Sequence, residues 1–164
     1  MLLSLLASNS AAFELQSRAF ARGAAIPVVH TCDGADRSPP LAWRDTPEAA
    51  KGFALVCDDP DAPAGAWVHW VLYDLPPTAR ELPEGVPTTP TVTSGGRQGT
   101  NDFRRTGYGG PCPPRGAPHR YVFRLYALDA TLALAPDTTR AALVHAMQGH
   151  VLAQAELTGR YARR

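Results

Sequence analysis

Three separate segments of the 164-residue chain concentrate side chains that can bind a ligand or move a proton. The first contains three aspartates within residues 58–61, and at least one carboxylate is expected to be paired because close like charges repel. The second is His69, an imidazole inside an otherwise apolar run, which needs a partner to offset its lost hydration. The third ends in His119 and Tyr121, two positions apart at a predicted strand entry, so both side chains are expected to point into one site.

A loop rich in glycine and proline precedes His119 and offers backbone groups to the same site. Consecutive N–H groups at Gly109 and Gly110 are predicted to cradle an oxyanion, because glycine allows close backbone approach. The prolines limit the loop to few conformations. Taken singly, each segment has a structural alternative: a solvated acidic turn, a core histidine with a satisfied partner, and a rigid turn that caps a strand.

The elements that must position these groups are mainly strands. Apolar runs over residues 53–57, 67–73 and 121–127 have strand length, and Tyr121, Phe123 and Leu125 share one face by the two-residue period. A weaker strand candidate covers residues 13–20, and residues 155–161 alternate in a strand-like way. The sequence therefore predicts a mainly β fold, an antiparallel β-sandwich with one C-terminal helix and few other short helices.

The predicted helix has Asp137 or Thr138 as its cap and Leu143, Met147 and Val151 along one side. Residues 94–99 are interpreted as a flexible insertion between the second and third central strands. No repeat or linker divides the chain, so we predict one domain over residues 1–164, with 1–12 as a poorly ordered or peripheral extension.

Composition narrows the function classes. The formal net charge is +1, and a protein that neutralises phosphate backbones usually has a basic surplus, so nucleic acid is not an expected partner. No stretch approaches the roughly 20 apolar residues of a membrane span, and the apolar start lacks the positively charged lead of a signal peptide. A cytoplasmic protein that does not span a membrane is the expectation.

The three cysteines, Cys32, Cys57 and Cys112, form no CxxC pair, which disfavours a disulfide framework or a cysteine-based zinc site. This composition fits a reducing compartment weakly, since one disulfide stays compatible with it. Cys32 and Cys57 are predicted to be buried thiols. Cys112 lies in the glycine-rich loop, where an activated thiol would be a nucleophile.

Several blocks, in order, resemble the signature of the phosphatidylethanolamine-binding family. They are Asp59–Pro63 (DPDAP), Trp67–His69 (WVH) and Gly107–Tyr121, which begins GYGGPCPP and ends PHRY. Flanking blocks at residues 31–34, 38–43 and 149–153 are similar to its bacterial and archaeal branch, the Raf kinase inhibitor-like proteins. The likeness runs from about residue 19 to residue 161 and implies a β-sandwich with few helices.

The resemblance also implies a small pocket for phosphate, phosphorylethanolamine head groups or acetate, without a cofactor or a metal. Asp61 is expected to organise the loop after the first aspartate of the DPDAP block rather than to contact the ligand. The resemblance to the bacterial branch also suggests that the protein forms a homodimer. The expected ligand-binding residues are Asp59, His69, Gly109, Gly110, Pro111, His119 and Tyr121.

The leading hypothesis is a non-enzymatic binding protein that takes a small anion and regulates a kinase or protease. One alternative is a hydrolase-like enzyme that uses Asp59, His69 and His119, or Cys112, for acid–base or nucleophilic chemistry. A second is a metal site made from His69, His119 and Asp59. A third is a protein that acts through its surface, with the pocket as a ligand-sensing element.

Overall fold

The computed structural model describes residues 11–164, so most of the predicted N-terminal extension lies outside the described residues. Over these described residues, ten elements follow one another, and nearly all are strands. In chain order they are β1 (Glu14–Gln16), a 3-10 helix (Val28–His30), β2 (Leu41–Arg44), β3 (Gly52–Asp59), β4 (Trp67–Leu75), β5 (Glu81–Leu82), β6 (Arg97–Gln98), β7 (His119–Leu128), α1 (Arg140–Met147) and β8 (Val151–Tyr161).

The strands form two antiparallel sheets, as the sequence predicts. The smaller sheet has the order β1-β2-β5, and the larger has the order β6-β4-β3-β7-β8. The main core contains side chains of both sheets, among them Leu15 and Trp43 from the small sheet and Phe53, Leu55 and Phe123 from the large one. Burial of this apolar surface holds the two layers together.

Strand β3 is buried along its whole length because both of its faces are covered. Phe53 and Leu55 face the main core, whereas Ala54 and Val56 belong to a second cluster that α1 covers with Leu143 and Met147. A central strand covered on both sides needs a continuous apolar run, which is the pattern that the sequence shows. The shared face of Tyr121, Phe123 and Leu125 on β7 is likewise confirmed.

Helix α1 is shorter than its sequence pattern predicts. Thr139 is the N-cap, and its side chain accepts a hydrogen bond from the Ala142 N–H at 3.3 Å. The predicted cap at Asp137 or Thr138 is therefore wrong, since the Thr138 hydroxyl donates instead to the Ala135 carbonyl. The helix ends at Met147, and Gly149 at φ +79° turns the chain so that the next residues begin β8. Val151 thus belongs to a strand and not to the helix face.

The interpretation of residues 94–99 as a flexible insertion is also wrong for its second half. Arg97 and Gln98 form β6, which pairs with Leu72 and Tyr73 of β4. The Gln98 amide is buried, where its Oε1 accepts a hydrogen bond from the Trp70 indole at 2.7 Å. A glutamine that satisfies a core indole ties this segment to the sheet. Over residues 11–164, no helix reaches the length and apolarity needed to cross a bilayer.

Candidate functional site

The three polar segments meet because β4, β3 and β7 are neighbours in one antiparallel sheet. Asp59 is the last residue of β3, and it lies opposite Trp67, the first residue of β4. Strand β7 begins at His119, close to the same end of β3, since Asp58 pairs with Val122. Antiparallel order therefore places the end of one strand beside the starts of its two neighbours.

A cavity of about 230 Å³ opens at this sheet end. It contains all four side chains that the sequence predicts for the site, together with apolar and proline residues that the sequence did not assign to it. A larger cleft of about 630 Å³ lies beside Arg160, but it has no histidine and its Asp33 carboxylate already binds Tyr161 and Arg163. The smaller cavity is lined by Asp59, Ala62, Pro63, Trp67, His69, Phe103, Cys112, Pro113, Pro114, His119 and Tyr121.

Asp59 and His119 form a nearly buried pair. Asp59 is 4% exposed, and its Oδ2 lies 2.7 Å from Nδ1 of His119. Its Oδ1 accepts the Asp61 N–H at 2.8 Å, so both carboxylate oxygens have partners. Because a carboxylate only accepts, Nδ1 of His119 carries the proton. Nε2 is then the nitrogen of His119 left for a ligand.

His69 is held by the backbone of Gly109. The imidazole Nδ1 lies 2.6 Å from the Gly109 carbonyl, which only accepts, so Nδ1 carries the proton here too. The Gly109 N–H in turn donates to the His69 carbonyl at 2.9 Å. Burial lowers the pKa of His69 from its ordinary value, which favours the neutral ring. A neutral His69 presents Nε2 as a hydrogen-bond acceptor.

The Tyr121 hydroxyl is buried and has no hydrogen-bond partner among the described residues. Burial, followed by the nearby negative charge of Asp59, raises the pKa of this phenol well above its ordinary value. The hydroxyl therefore keeps its proton. Asp59 lies close enough to act on it as an acceptor, but the two groups do not form a hydrogen bond of normal geometry, so the donor stays available to a ligand. An unpaired buried polar group of this kind costs about 1–3 kcal/mol, which a suitable ligand atom can offset.

The glycine loop does not form the predicted oxyanion cradle. The N–H of Gly109 is used by His69, and the N–H of Gly110 donates to Oδ1 of Asp36 at 2.7 Å. Glycine is required for close packing instead: a Cβ at Gly110 would lie 2.3 Å from the His30 carbonyl oxygen, and one at Gly109 would lie 2.6 Å from the Phe103 ring. Gly109, Gly110 and Pro111, which were predicted to bind the ligand, are buried and do not line the cavity, whereas the next three residues do.

The cysteines differ from their predictions. Cys32 and Cys112 form a disulfide, so Cys32 is not a buried thiol and Cys112 offers no thiol nucleophile in this structure. Both residues are exposed. Cys57 is the predicted buried thiol, and burial raises its pKa well above the ordinary value. Sequence spacing could not reveal the pair, because its members are 80 positions apart.

Asp61 has the organising role that was predicted for it. Its carboxylate accepts hydrogen bonds from the backbone N–H, Nε and Nη2 of Arg120 at 2.8–3.0 Å. These hydrogen bonds hold the pKa of Asp61 at about 2. The clamp connects the loop after β3 to the residue that separates His119 from Tyr121.

Comparison with known proteins shows the family of the chain. The phosphatidylethanolamine-binding protein family model matches residues 16–162. The chain belongs to this family. A UPF0098 protein of Aquifex aeolicus is 50% identical over 161 residues, covering 97% of this chain and 94% of the relative. A UPF0098 protein of Methanothermobacter thermautotrophicus is 49% identical, covering 91% and 98%.

Solved structures of the family share the fold. A phosphatidylethanolamine-binding protein homolog from Chlamydia trachomatis has a TM-score of 0.86 at 40% identity, covering 93% of this chain and 99% of that one. YbcL of E. coli, described as a new member of the mammalian PEBP family, has a TM-score of 0.88 at 33% identity, covering 94% of this chain and 100% of that one. The family and the mainly β fold predicted from the motifs are thereby confirmed.

Aromatic side chains also line the cavity. Trp67 is 39% exposed and lies edge-on to Phe103 at 5.5 Å between ring centroids. Phe103 also meets the His69 ring edge-on at 5.3 Å. In the sequence, Phe103 is a single aromatic residue in a polar loop, and this was the only signal for it. The loop is anchored by Asp102, whose carboxylate accepts a hydrogen bond from the Val68 N–H at 2.6 Å.

The metal alternative has no geometric support in the described part of the chain. No group of three or more histidine, cysteine or acidic side chains there has the arrangement that holds a metal ion. In the proposed set of His69, His119 and Asp59, both carboxylate oxygens already accept hydrogen bonds.

Proposed function

We propose that the cavity binds a small phosphate-type anion, either inorganic phosphate or the phosphate of a monoester such as phosphorylethanolamine. The observation that carries the proposal is the buried Tyr121 hydroxyl without a partner, in a cavity shared with two imidazoles whose Nδ1 atoms are both occupied. A phosphate oxygen that accepts from Tyr121 would remove the cost of an unpaired donor.

His119 supplies the positive charge in this proposal. Once protonated, it donates from Nδ1 to Asp59 and from Nε2 to the anion, so Asp59 stabilises the imidazolium that faces the ligand. Anion binding therefore takes up a proton whenever the imidazole is neutral beforehand. The expected consequence is tighter binding as the pH is lowered.

His69 decides which anions satisfy the whole site. Its neutral ring offers an acceptor at Nε2, so the ligand should carry a donor as well as acceptors. A phosphate that retains one proton provides both: its oxygens accept from Tyr121 and His119, and its O–H donates to His69. Acetate as an anion has no donor, so we expect it to bind more weakly than phosphate.

Size and wall chemistry favour a head group over a large molecule. The cavity of about 230 Å³ holds a phosphate or a short phosphate ester, and any longer substituent would have to extend into solvent. We propose binding without turnover, since the residues that line the cavity include no serine, threonine or free thiol to act as a nucleophile. The Tyr121 phenol is also held in its protonated form.

We propose four further properties on the basis of the family resemblance or of composition. They are regulation of a kinase or protease, binding of a protein partner, a homodimer and a cytoplasmic location. An exposed disulfide is more typical of oxidising compartments, which weakens the cysteine-based argument for a reducing one.

Calorimetric titration with inorganic phosphate, phosphorylethanolamine and acetate at about pH 6 and about pH 8 tests the proposal. Wild type should bind phosphate more tightly at the lower pH, and His119→Gln should lose at least about tenfold in affinity, the value of one charge-assisted hydrogen bond. His145→Gln, on the exposed side of α1, is the matched control and should bind as wild type. Equal phosphate affinity in wild type and His119→Gln would remove the basis for the proposal.

A further inference from the structure

The residues of the cavity wall that follow Pro111 have few attachments to the rest of the protein. Upstream, the loop is tied by Gly109 to His69, by Gly110 to Asp36, and by the Pro111 carbonyl, which accepts the Cys32 N–H at 3.1 Å. Within the described chain, residues 112–114 make no hydrogen bond that meets normal geometry. Two of the three are prolines, which have no N–H to donate.

The disulfide is therefore the covalent attachment of this part of the wall, in which Pro113 is also held by burial. The next one along the chain is the β-bridge between Arg115 and Arg163. Cys112, Pro113 and Pro114 all line the cavity, and the sulfur bridge fixes them to the loop after the 3-10 helix. Both cysteines are exposed, and exposed disulfides are the ones that exchange with external thiols.

We infer that the Cys32–Cys112 disulfide is a thiol–disulfide exchange site whose reduction by a dithiol releases the 112–114 wall of the anion cavity. The effect on anion affinity rests on the proposed function, whereas the exchange itself and the release of the wall do not.

The chemistry balances with a dithiol as the reductant. One thiolate of the dithiol attacks a sulfur of the disulfide, the S–S bond breaks, and the other cysteine sulfur leaves and takes up a proton. The second thiol of the reductant, as thiolate, then attacks its own partner sulfur in the mixed disulfide and releases the second cysteine. The protein gains two electrons and two protons, and the dithiol is oxidised to its own disulfide.

Exchange is tested first on the folded protein without any ligand. The protein is treated with dithiothreitol and alkylated with iodoacetamide in native buffer, and the modified residues are located by mass spectrometry. We expect labels on Cys32 and Cys112 and none on Cys57, which is buried and reports unfolding. Labelling that appears only with denaturant, or that reaches Cys57 at the same rate, would overturn the inference.

Release of the wall is read from the imidazole NMR signals of the oxidised and reduced protein. His119 lines the same cavity, so its signals should move on reduction, while those of His145 on α1 should not. The spectrum of Cys32→Ser should resemble that of the reduced wild type, and it should not change when the reductant is added. Unchanged His119 signals would overturn the inference.

Titration with inorganic phosphate then gives the functional consequence. Loss of a preorganised wall should weaken phosphate binding by a few-fold to about tenfold in reduced wild type and in Cys32→Ser. Equal affinity in both redox states would overturn the coupling while leaving the proposed function intact. If oxidised protein bound no phosphate, the proposed function would fail, and the labelling and NMR results would still decide the exchange site.

Discussion

His69 and Gly109 are joined by two hydrogen bonds of opposite direction: the imidazole Nδ1–H donates to the Gly109 carbonyl, and the Gly109 N–H donates to the His69 carbonyl. The pair connects the third residue of β4 to a loop 40 positions later. It fixes the tautomer of the imidazole and, with it, the acceptor that the cavity presents. It also occupies the Gly109 N–H, a backbone donor that the loop sequence alone predicts for a ligand.

This buried imidazole predicts a pH-dependent stability. Burial lowers the pKa of His69 in the folded protein, so below about pH 6.5 the unfolded chain binds a proton that the folded chain does not. The stabilisation linked to neutral His69 is therefore fully present above the histidine pKa of the unfolded chain, about 6.5, and it is lost as the pH falls below that value. Urea unfolding at about pH 7.5 and about pH 5.5 should show that the free energy of unfolding falls less for His69→Gln than for wild type when the pH is lowered. The variant His145→Gln, changed at an exposed site, should lose as much unfolding free energy as wild type. An equal loss in His69→Gln and in wild type would contradict the expectation.

Tyr121→Phe should separate stability from binding. Removing a buried hydroxyl without a partner should leave the free energy of unfolding unchanged or raise it by up to about 1 kcal/mol. Phosphate affinity should fall about tenfold, since the ligand loses a donor. Tyr73→Phe is the matched control: its hydroxyl donates to the Ala135 carbonyl at 2.7 Å, so stability should fall by about 1 kcal/mol with affinity unchanged. Denaturant unfolding and calorimetry measure both, and a destabilised Tyr121→Phe would argue that the hydroxyl has a protein partner.

Asp61→Asn should weaken the clamp on Arg120. Because Asp61 is exposed, the loss at neutral pH should be no more than about 1 kcal/mol. The folded pKa of about 2 lies below the ordinary 3.8, so the carboxylate stabilises the fold above pH 3.8 and loses this effect as the pH falls towards 2. The difference in unfolding free energy between wild type and Asp61→Asn should shrink across that window.

Cys32→Ser should lower the free energy of unfolding by about 2–4 kcal/mol, because the disulfide closes a long loop of the unfolded chain. Denaturant unfolding of oxidised wild type, reduced wild type and Cys32→Ser measures this. The last two should agree with each other. A loss well under about 1 kcal/mol would show that the cross-link contributes little to the fold.

The sequence by itself determined the features that depend on local periodicity and on the order of the motifs. The continuous apolar run of β3 predicted a strand covered on both faces, and alternation on β7 placed Tyr121 and Phe123 on one face. The motif blocks identified the family and the four polar side chains that share the cavity. These features can be predicted from the sequence because they depend on residues that are close together along the chain and on the two-residue period of a strand.

Only the tertiary structure decided the pairings between distant residues. The bond between Cys32 and Cys112, the use of the Gly110 N–H by Asp36, and the end of α1 before Val151 follow from how separate segments pack. A backbone donor in a glycine loop looks free in a sequence, because its acceptor lies many positions away. Packing assigns that acceptor, and so it also assigns which groups are left for a ligand.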